Sequence, residues 1–231
     1  MRLDKFVSNN TNLSRSEASG QIKKGNVCVD GEKITSPDFK IDENKNAISI
    51  NGDVVNYQKY TYLMLNKPQG VVSATTDTRD KTVLDLLPSE YKKQNLFPCG
   101  RLDKDTLGLV ILTNNGQGAH KLLSPKNHVT KEYEYECADS LTFDDKQKIE
   151  RGILLKDGYT TKPCIIKQLS PQNGIITLTE GKYHEIKRMF GAVGNKITFL
   201  KRISFGTIKL DPNLSYGQFR PLTPEEKSIF E

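Results

Sequence analysis

The amino-acid sequence predicts an α+β protein in two parts, a small N-terminal α/β unit and a larger unit whose mainly antiparallel sheet is flanked by helices. Two short helix patterns and a hairpin pattern open the chain. The strand and helix patterns that follow show no regular βαβ alternation, which favours an α+β fold over a doubly wound one. The length of 231 residues suits one small and one medium domain.

The N-terminal part begins with two predicted helices. Residues 2–8 have the pattern of a short helix. A second helix is predicted over about 15–24, because Ser14 and Glu17 have the S-x-x-E spacing of a capping box. Gly25 is expected to end this helix, since glycine readily adopts the left-handed conformation found at helix ends.

A hairpin and a linker are predicted after these helices. The Asp30-Gly31 pair between two apolar stretches is typical of a tight β-turn. Residues 38–59 alternate weakly between polar and apolar side chains and predict one or two strands and a linker. Because an apolar strand pattern starts at Tyr60, we expect two domains, residues 1–58 and 59–231.

The larger part is predicted to be mostly β-structure with interspersed helices. Strand patterns occupy residues 60–65, 108–113, 132–137, 165–169, 175–179 and 197–204. Helix patterns occupy residues 116–123, 143–151 and 184–193. This order predicts a largely antiparallel sheet.

Positive charge is concentrated in two blocks. The chain has 34 Lys+Arg against 28 Asp+Glu. Residues 181–209 contain seven bases and one acid, and residues 1–25 contain five bases and two acids. Two basic blocks far apart in sequence indicate a surface for a polyanion such as nucleic acid. A solvated Lys-rich face is the alternative.

The sequence does not indicate a membrane, secreted or metal-binding protein. The longest apolar stretch is Leu107–Leu112, far short of the roughly 20 residues that span a bilayer. The N-terminus lacks the apolar region of a signal peptide, so we expect no membrane association and a cytoplasmic protein. The four cysteines and three histidines lack zinc-ligand spacing, which predicts no metal site.

The segment from Cys99 to Gly116 is the strongest candidate for chemistry. A glycine-flanked polar turn carries Asp103 and Asp105 and runs directly into a buried strand pattern. An acid on a loop braced by a rigid strand suits a reactive carboxylate. Spacing alone does not separate the two acids, and both could simply form a turn.

Several motifs carry a family resemblance. The stretches RLDKF, SRSEA and GNVCVDG within residues 1–58 resemble the S4 RNA-binding domain. NKPQG at 66–70, GRLDKDTLGLVILTNNG at 100–116 and EGKYHEIKRMFGAVGN at 180–195 resemble three motifs of the ribosomal RNA pseudouridine synthases. With the ending FRPLTPEE, the resemblance covers essentially the whole chain.

The resemblance implies that a uridine in RNA is isomerised to pseudouridine without a metal or cofactor, with Asp103 as the catalytic carboxylate. That reaction breaks the N1–C1′ bond, turns the uracil and joins C5 to C1′, and a carboxylate can act at the sugar carbon. Lys187 is implied to pair with the aspartate. Tyr133 is implied to stack on the uracil and to help remove the C5 proton. Tyr135 stays an alternative, because on one strand it would share the same face.

The resemblance also implies RNA contacts in both parts. These are Arg15, Lys23 and Lys24 in the S4-like unit and Arg101, Lys67 and Arg188 in the larger one. Arg101 is implied to help extrude the uridine from folded RNA, with a structural bond to loop carbonyls as the alternative. Lys67 could touch phosphate or simply end a strand. Lys187 and Arg188 could instead both be phosphate contacts on a basic helix.

The implied partner is 16S rRNA, free or within a partly assembled small subunit, bound by a monomer. The chain ends at Glu231, soon after the last motif. This favours the small subunit, because relatives that act on 23S rRNA often carry basic extensions. The same chemistry on 23S rRNA and a non-catalytic rRNA-binding assembly factor are the alternatives.

Two positions depart from the family pattern. Lys182 stands where the family has arginine, which keeps the charge but loses bidentate geometry. Glu185 stands where the family tends to glutamine. A charged Glu185 that faced RNA would weaken contact with phosphate.

Overall fold

The computed structural model describes residues 1–11, 13–55 and 59–230, and the chain divides into two compact units. One comprises Met1–Tyr60 and Ser89–Asn95, and the other comprises Thr61–Pro88 and Leu96–Glu231. The predicted boundary touches residues 56–58, which lie outside the described residues. No helix within the described ranges is long and apolar enough to cross a membrane.

The N-terminal unit contains two helices and a four-stranded antiparallel sheet. The elements are α1 (Leu3–Asn10), α2 (Arg15–Lys23), β1 (Val27–Val29), β2 (Glu32–Lys33), β3 (Ile48–Ile50) and β4 (Asp53–Val54). The strand order is β2-β1-β3-β4. Buried apolar side chains from both helices and the sheet form one core, which includes Leu3, Phe6, Ile22, Val27 and Ile48.

The predicted cap and turn of this unit are confirmed. Glu17 N–H donates to Ser14 Oγ at 3.2 Å, and Ser14 N–H donates to Glu17 Oε2 at 2.6 Å. This reciprocal capping box pairs backbone donors that the start of α2 would otherwise leave without partners. The turn residues Asp30 and Gly31 have φ values of 51° and 87°, as a two-residue hairpin requires.

The larger unit is built on one nine-stranded sheet. Its strands are β5 (Tyr62–Lys67), β6 (Phe97–Cys99), β7 (Leu107–Thr113), β8 (Lys131–Cys137), β9 (Ile165–Ser170), β10 (Asn173–Leu178), β11 (Ile197–Phe205), β12 (Ile208–Lys209) and β13 (Phe219–Pro221). Its α-helices are α3 (Gly116–Leu123), α4 (Phe143–Glu150), α5 (Glu185–Ala192) and α6 (Pro224–Lys227). The sequence did not predict β6, β12, β13 or α6.

Antiparallel pairing dominates this sheet. The strand order is β13-β5-β7-β11-β8-β10-β9, with β6 beside β7 and β12 beside β11. Among these pairs, β7 and β11 run parallel and the others run antiparallel. The predicted α+β class with a largely antiparallel sheet is therefore confirmed.

The parallel pairing of β7 with β11 depends on a glycine. Gly108 has a φ of 98°, and a β-carbon at this position would overlap the backbone oxygen of Arg202. Glycine therefore lets β11 approach β7 directly after the loop that carries the two predicted acids. The Arg202 side chain is buried, and its Nε–H donates to the Leu109 carbonyl at 2.8 Å, which adds a second link between the strands.

Packing of α5 against the sheet sets the position of its first turn. Met189 and Phe190 of α5 are buried, and the ring centroids of Phe190 and Tyr135 of β8 are 4.9 Å apart. Burial of a side chain of this size is worth roughly 1.5–3 kcal/mol. This apolar face holds the helix in place, and Lys187 in its first turn reaches the loop that precedes β7.

Candidate active site

The loop between β6 and β7 carries both predicted acids and is braced by a buried lysine. Lys67 ends β5 and is fully buried. Its ammonium donates to the backbone carbonyls of Pro68, Lys104 and Thr106 at 3.1, 3.2 and 2.8 Å. Gly70 N–H also donates to the Lys104 carbonyl, at 2.8 Å. These bonds anchor the loop to the end of β5.

This placement corrects the predicted contact of Lys67 with RNA phosphate. All three of its ammonium donors are taken by carbonyls, and the side chain has no exposed surface. Burial lowers the pKa of Lys67 to about 8, while the nearby carboxylates of Asp105 and Asp103 offset part of that effect. The structure supports the alternative that Lys67 has an architectural role at the strand end.

A second brace holds the residues on either side of Asp103. Ser73 Oγ donates to the Leu102 carbonyl at 3.1 Å and accepts from Leu102 N–H at 3.1 Å. Thr106 N–H donates to the Asp103 carbonyl at 3.1 Å. Because the backbone is fixed on both sides, the Asp103 carboxylate is presented from a rigid loop.

Lys187 joins the two acids of the loop. Its ammonium lies 2.8 Å from Asp103 Oδ2 and 2.5 Å from Asp105 Oδ1. The Asp103 side chain is 25% exposed and the Asp105 side chain 59%. Asp103 lines a cleft together with Lys187, whereas Asp105 is not among the residues that line it. The structure thus separates two acids that spacing left equivalent.

The lysine between these acids stays charged. Burial works against the charge of Lys187, but its hydrogen bonds to Asp103 and Asp105 outweigh burial and raise its pKa. Burial likewise opposes the charge of Asp105, but the hydrogen bond from Lys187 lowers the pKa of that carboxyl on balance. Across neutral pH the first turn of α5 therefore places a fixed positive group next to Asp103.

The two candidate tyrosines on β8 have different surroundings. Tyr133 lines the cleft beside Asp103 and Lys187. Tyr135 packs against Phe190, and its hydroxyl is buried without a hydrogen-bond partner among the described residues. Burial raises the pKa of Tyr135 to about 12. Of the two tyrosines, Tyr133 is therefore the one available to a ligand in the cleft, and Tyr135 belongs to the core.

The two remaining predicted RNA contacts of this unit differ in their partners. Arg101 is exposed at the cleft, and no hydrogen bond or ion pair engages its guanidinium in the described part of the chain. The alternative bond from Arg101 to loop carbonyls is thus not formed. Arg188 instead pairs with Asp157 at 2.5 Å and donates to the Tyr183 carbonyl at 3.1 Å. A phosphate would have to compete with Asp157 for Arg188.

The predicted RNA contacts of the N-terminal unit lie on and just after α2. Lys23 and Lys24 are exposed. The Arg15 side chain is 58% exposed, and its Nε–H donates to Asp4 at 3.2 Å. Burial of Asp4 opposes its charge, but hydrogen bonds from Arg2 and Arg15 lower its pKa on balance. Arg15 is thus exposed, but its guanidinium is already paired with Asp4.

Sequence reasoning assigned no role to two aromatic residues beside the site. His184 has a φ of 48°, immediately precedes α5, and places Nε2 at 3.5 Å from Asp103 Oδ1. Tyr183 is exposed and stacks on His184, with ring centroids 3.8 Å apart and an interplanar angle of 17°. Both residues lie inside the motif at 180–195, but the left-handed backbone that turns His184 toward Asp103 has no local sequence pattern.

Comparison with known proteins agrees with this arrangement. Residues 1–46 match the S4 domain, and residues 61–192 match the RNA pseudouridylate synthase family. An uncharacterised RNA pseudouridine synthase of Bacillus subtilis is 46% identical over 230 residues, covering 98% of this chain and 96% of the relative. Ribosomal small subunit pseudouridine synthase A of Escherichia coli is 38% identical over 227 residues, covering 98% of each chain.

A solved structure of a related enzyme also matches this chain over its full length. A crystal structure of a pseudouridylate synthase aligns over 100% of both chains with a TM-score of 0.71 and 36% sequence identity. The matched family consists of isomerases that act on RNA, and the braced acid loop lies within the matched residues 61–192. The chain belongs to the RNA pseudouridylate synthase family, in the group with an N-terminal S4 domain.

Proposed function

We propose that this enzyme isomerises one uridine of 16S rRNA to pseudouridine, with Asp103 as the catalytic carboxylate. The relatives named ribosomal small subunit pseudouridine synthase A, which match over 98% of this chain, support the choice of RNA. The observation that carries the chemistry is the Asp103–Lys187 pair, 2.8 Å apart and lining one cleft with Tyr133.

The proposed reaction is balanced without an oxidant or reductant, because product and substrate are isomers. Asp103 acts at the ribose while the N1–C1′ bond breaks and its electron pair passes to the uracil ring. The uracil turns, C5 bonds to C1′ and loses its proton, and N1 takes up a proton, so that the product has the same atoms as the substrate. Lys187 donates to the Asp103 carboxylate within a partly enclosed cleft and fixes its orientation.

The other cleft residues are assigned to the nucleotide. The Tyr133 ring stacks on the uracil, and its phenol assists removal of the C5 proton. A uridine in folded RNA must leave its stack to reach Asp103. Arg101 is exposed and without a protein partner in the described ranges. Its guanidinium is therefore available to fill the space that the extruded uridine leaves in the RNA stack, or to hold a phosphate. Arg188 binds phosphate when RNA displaces Asp157.

The N-terminal unit is assigned to anchoring the RNA. Lys23, Lys24 and the exposed part of Arg15 give α2 a positive surface, which suits the phosphates of folded RNA. We assign this role to residues 1–58 and the isomerisation to residues 59–231. The enzyme acts as a monomer in the cytoplasm, on free 16S rRNA or on a partly assembled small subunit.

Mapping pseudouridines in both ribosomal RNAs of a deletion strain tests the substrate. We expect the strain to lose one pseudouridine in small-subunit RNA and none in large-subunit RNA. A plasmid with the wild-type gene restores the modification, and a plasmid with Asp103→Asn does not. Loss of a pseudouridine in 23S rRNA instead would identify large-subunit RNA as the substrate. An unchanged map with defective subunit assembly would favour a binding factor.

The two tyrosines offer a matched pair of substitutions. We expect Tyr133→Phe to lower kcat by about 100-fold, because it keeps the ring but removes the hydroxyl that assists proton transfer. Tyr135→Phe is expected to keep kcat and to raise the free energy of unfolding by about 1 kcal/mol, since it removes a buried hydroxyl without a partner. Urea denaturation and single-turnover kinetics measure both effects. The reverse pattern would assign the chemistry to Tyr135.

A further inference from the structure

Two buried glutamates meet beside the cleft. Glu185 begins α5, is only 4% exposed and lines the cleft. Its Oε2 accepts from Lys182 N–H at 2.7 Å, while its Oε1 is buried and has no donor within the described residues. Glu180 is also buried, and the carboxyl groups of Glu180 and Glu185 are in hydrogen-bonding contact.

Glu180 accepts hydrogen bonds from two other groups, but neither of these donors also reaches Glu185. Glu180 Oε1 accepts from Lys162 N–H at 2.7 Å, and Glu180 Oε2 accepts from the Tyr159 hydroxyl at 2.5 Å. These donors serve Glu180 and do not reach Glu185 Oε1. Two carboxyl oxygens can form a hydrogen bond with each other only when one of them carries a proton.

No cation neutralises this pair by direct contact. Across residues 1–11, 13–55 and 59–230, neither glutamate forms an ion pair. The titratable groups that act on Glu185 or respond to it are Glu180, Lys182, Lys131 on β8, Tyr159 and Cys164. The Lys182 ammonium lies over the Tyr159 ring at 4.8 Å, and the Lys131 ammonium donates to the Val129 carbonyl at 2.8 Å.

We propose that Glu185 is a protonated positioning residue, whose acid Oε1–H donates to the Glu180 carboxylate and so holds the first turn of α5 and Lys187 against Asp103. Two carboxylates this close and this buried do not both ionise. The other Glu185 oxygen ties back to Lys182 N–H. The first turn of α5 is therefore anchored on both sides, two residues before Lys187. The link to catalysis rests on the proposed role of Asp103.

The titration of the pair supports this arrangement. Burial and the contact with Glu180 raise the pKa of Glu185 to about 8. Burial opposes the charge of Glu180, but hydrogen bonds from Glu185, Lys162 and Tyr159 lower its pKa on balance. These opposite directions assign the shared proton to Glu185 rather than to Glu180. It leaves as the pH rises through about 8, and two adjacent carboxylates then repel each other across the anchor.

The sign of the linked stability change follows from these values. The pKa of an unfolded glutamate is about 4.3, so between about 4.3 and the folded value of about 8 the folded protein binds more protons than the unfolded chain. The free energy of unfolding then falls as the pH rises through that window. Glu185→Gln supplies an amide donor to Glu180 and cannot ionise, so it removes this fall in the free energy of unfolding with pH.

The experiment compares wild type, Glu185→Gln and the matched variant Glu180→Gln over a range of pH. In wild type at neutral pH, infrared difference spectra with labelled glutamate are expected to show a protonated carboxyl band that Glu185→Gln removes. The free energy of unfolding of Glu185→Gln relative to wild type is expected to increase as the pH rises. Lys67 also titrates near pH 8, but it is present in both proteins, so its contribution cancels in this difference. The ratio of kcat at about pH 9 to kcat at about pH 7 is expected to be several-fold higher in Glu185→Gln than in wild type.

Glu180→Gln tests the direction of the bond. In this variant the infrared titration of Glu185 is expected at lower pH than in wild type, because a neutral amide at position 180 repels an ionised Glu185 less than a carboxylate does. Absence of a protonated carboxyl band in wild type overturns the proposal, and this reading requires no variant to fold. Superimposable pH profiles of stability for wild type and Glu185→Gln also overturn it. Loss of the proposed function would instead appear as activity in Asp103→Asn, with the glutamate titration unchanged.

Discussion

Asp103→Asn is expected to abolish pseudouridine formation, with a loss of at least about a thousandfold in kcat. Asparagine keeps the size of the side chain but is a poor nucleophile and carries no charge. Lys187 keeps Asp105 as a partner at 2.5 Å, so the variant should fold with the loop in place. The backbone bonds from Lys67 and Ser73 do not involve the Asp103 carboxylate and remain.

Asp105→Asn is the matched control for this variant. It removes the more exposed of the two acids that Lys187 contacts and leaves the Asp103–Lys187 pair at 2.8 Å. We expect its kcat to stay within about tenfold of wild type, because exposed ion pairs contribute little. Both variants should bind the RNA with nearly wild-type affinity. Full activity in Asp103→Asn, or a comparable loss in Asp105→Asn, would mean that the wrong acid has been chosen.

Lys187→Met is expected to give the second largest effect, a loss of roughly 100- to 1000-fold in kcat. Methionine fills similar space but leaves the carboxylates of Asp103 and Asp105 on one loop with no cation between them. The pKa of Asp105, which Lys187 holds low, should then rise. We therefore expect the Asp105 carboxyl to titrate at higher pH in the variant, which NMR would measure, while rapid-quench assays measure the loss in kcat.

Lys187→Arg separates the charge of the lysine from its shape. A guanidinium keeps the positive charge but is planar and longer, so we expect partial activity, well above that of Lys187→Met. Lys187 could instead be only a phosphate contact. In that case Lys187→Met would weaken RNA binding, while kcat at saturating RNA would stay near wild type.

The parts of the fold with strong local patterns could be predicted from the sequence. The capping box at Ser14 and Glu17 and the turn at Asp30-Gly31 depend on residues adjacent in sequence, so their chemistry is readable without the fold. The buried strand β7 was predicted because its apolar run is continuous. Asp103 and its pairing with Lys187 were implied by the resemblance of whole motifs, since no local pattern joins residues 84 apart.

Other features depend on contacts that only the folded chain creates. Lys67 lies in a motif that suggests a charged surface, yet carbonyls from a loop almost forty residues later enclose its ammonium. Tyr133 and Tyr135 are two residues apart on one strand, so sequence spacing does not distinguish them, and they differ only in what packs against them. The contact of Glu180 with Glu185 depends on the turn between β10 and α5, where His184 takes a left-handed conformation.

Single-turnover release of the C5 hydrogen tests the central claim most directly. RNA labelled with tritium at C5 of uridine is mixed with excess wild type, Asp103→Asn or Asp105→Asn, and binding is measured in the same samples. Wild type and Asp105→Asn are predicted to release the label of the target uridine to completion. Asp103→Asn is predicted to bind the RNA and release none. Release by Asp103→Asn at the wild-type rate would contradict the assignment of Asp103 as the carboxylate that performs the reaction.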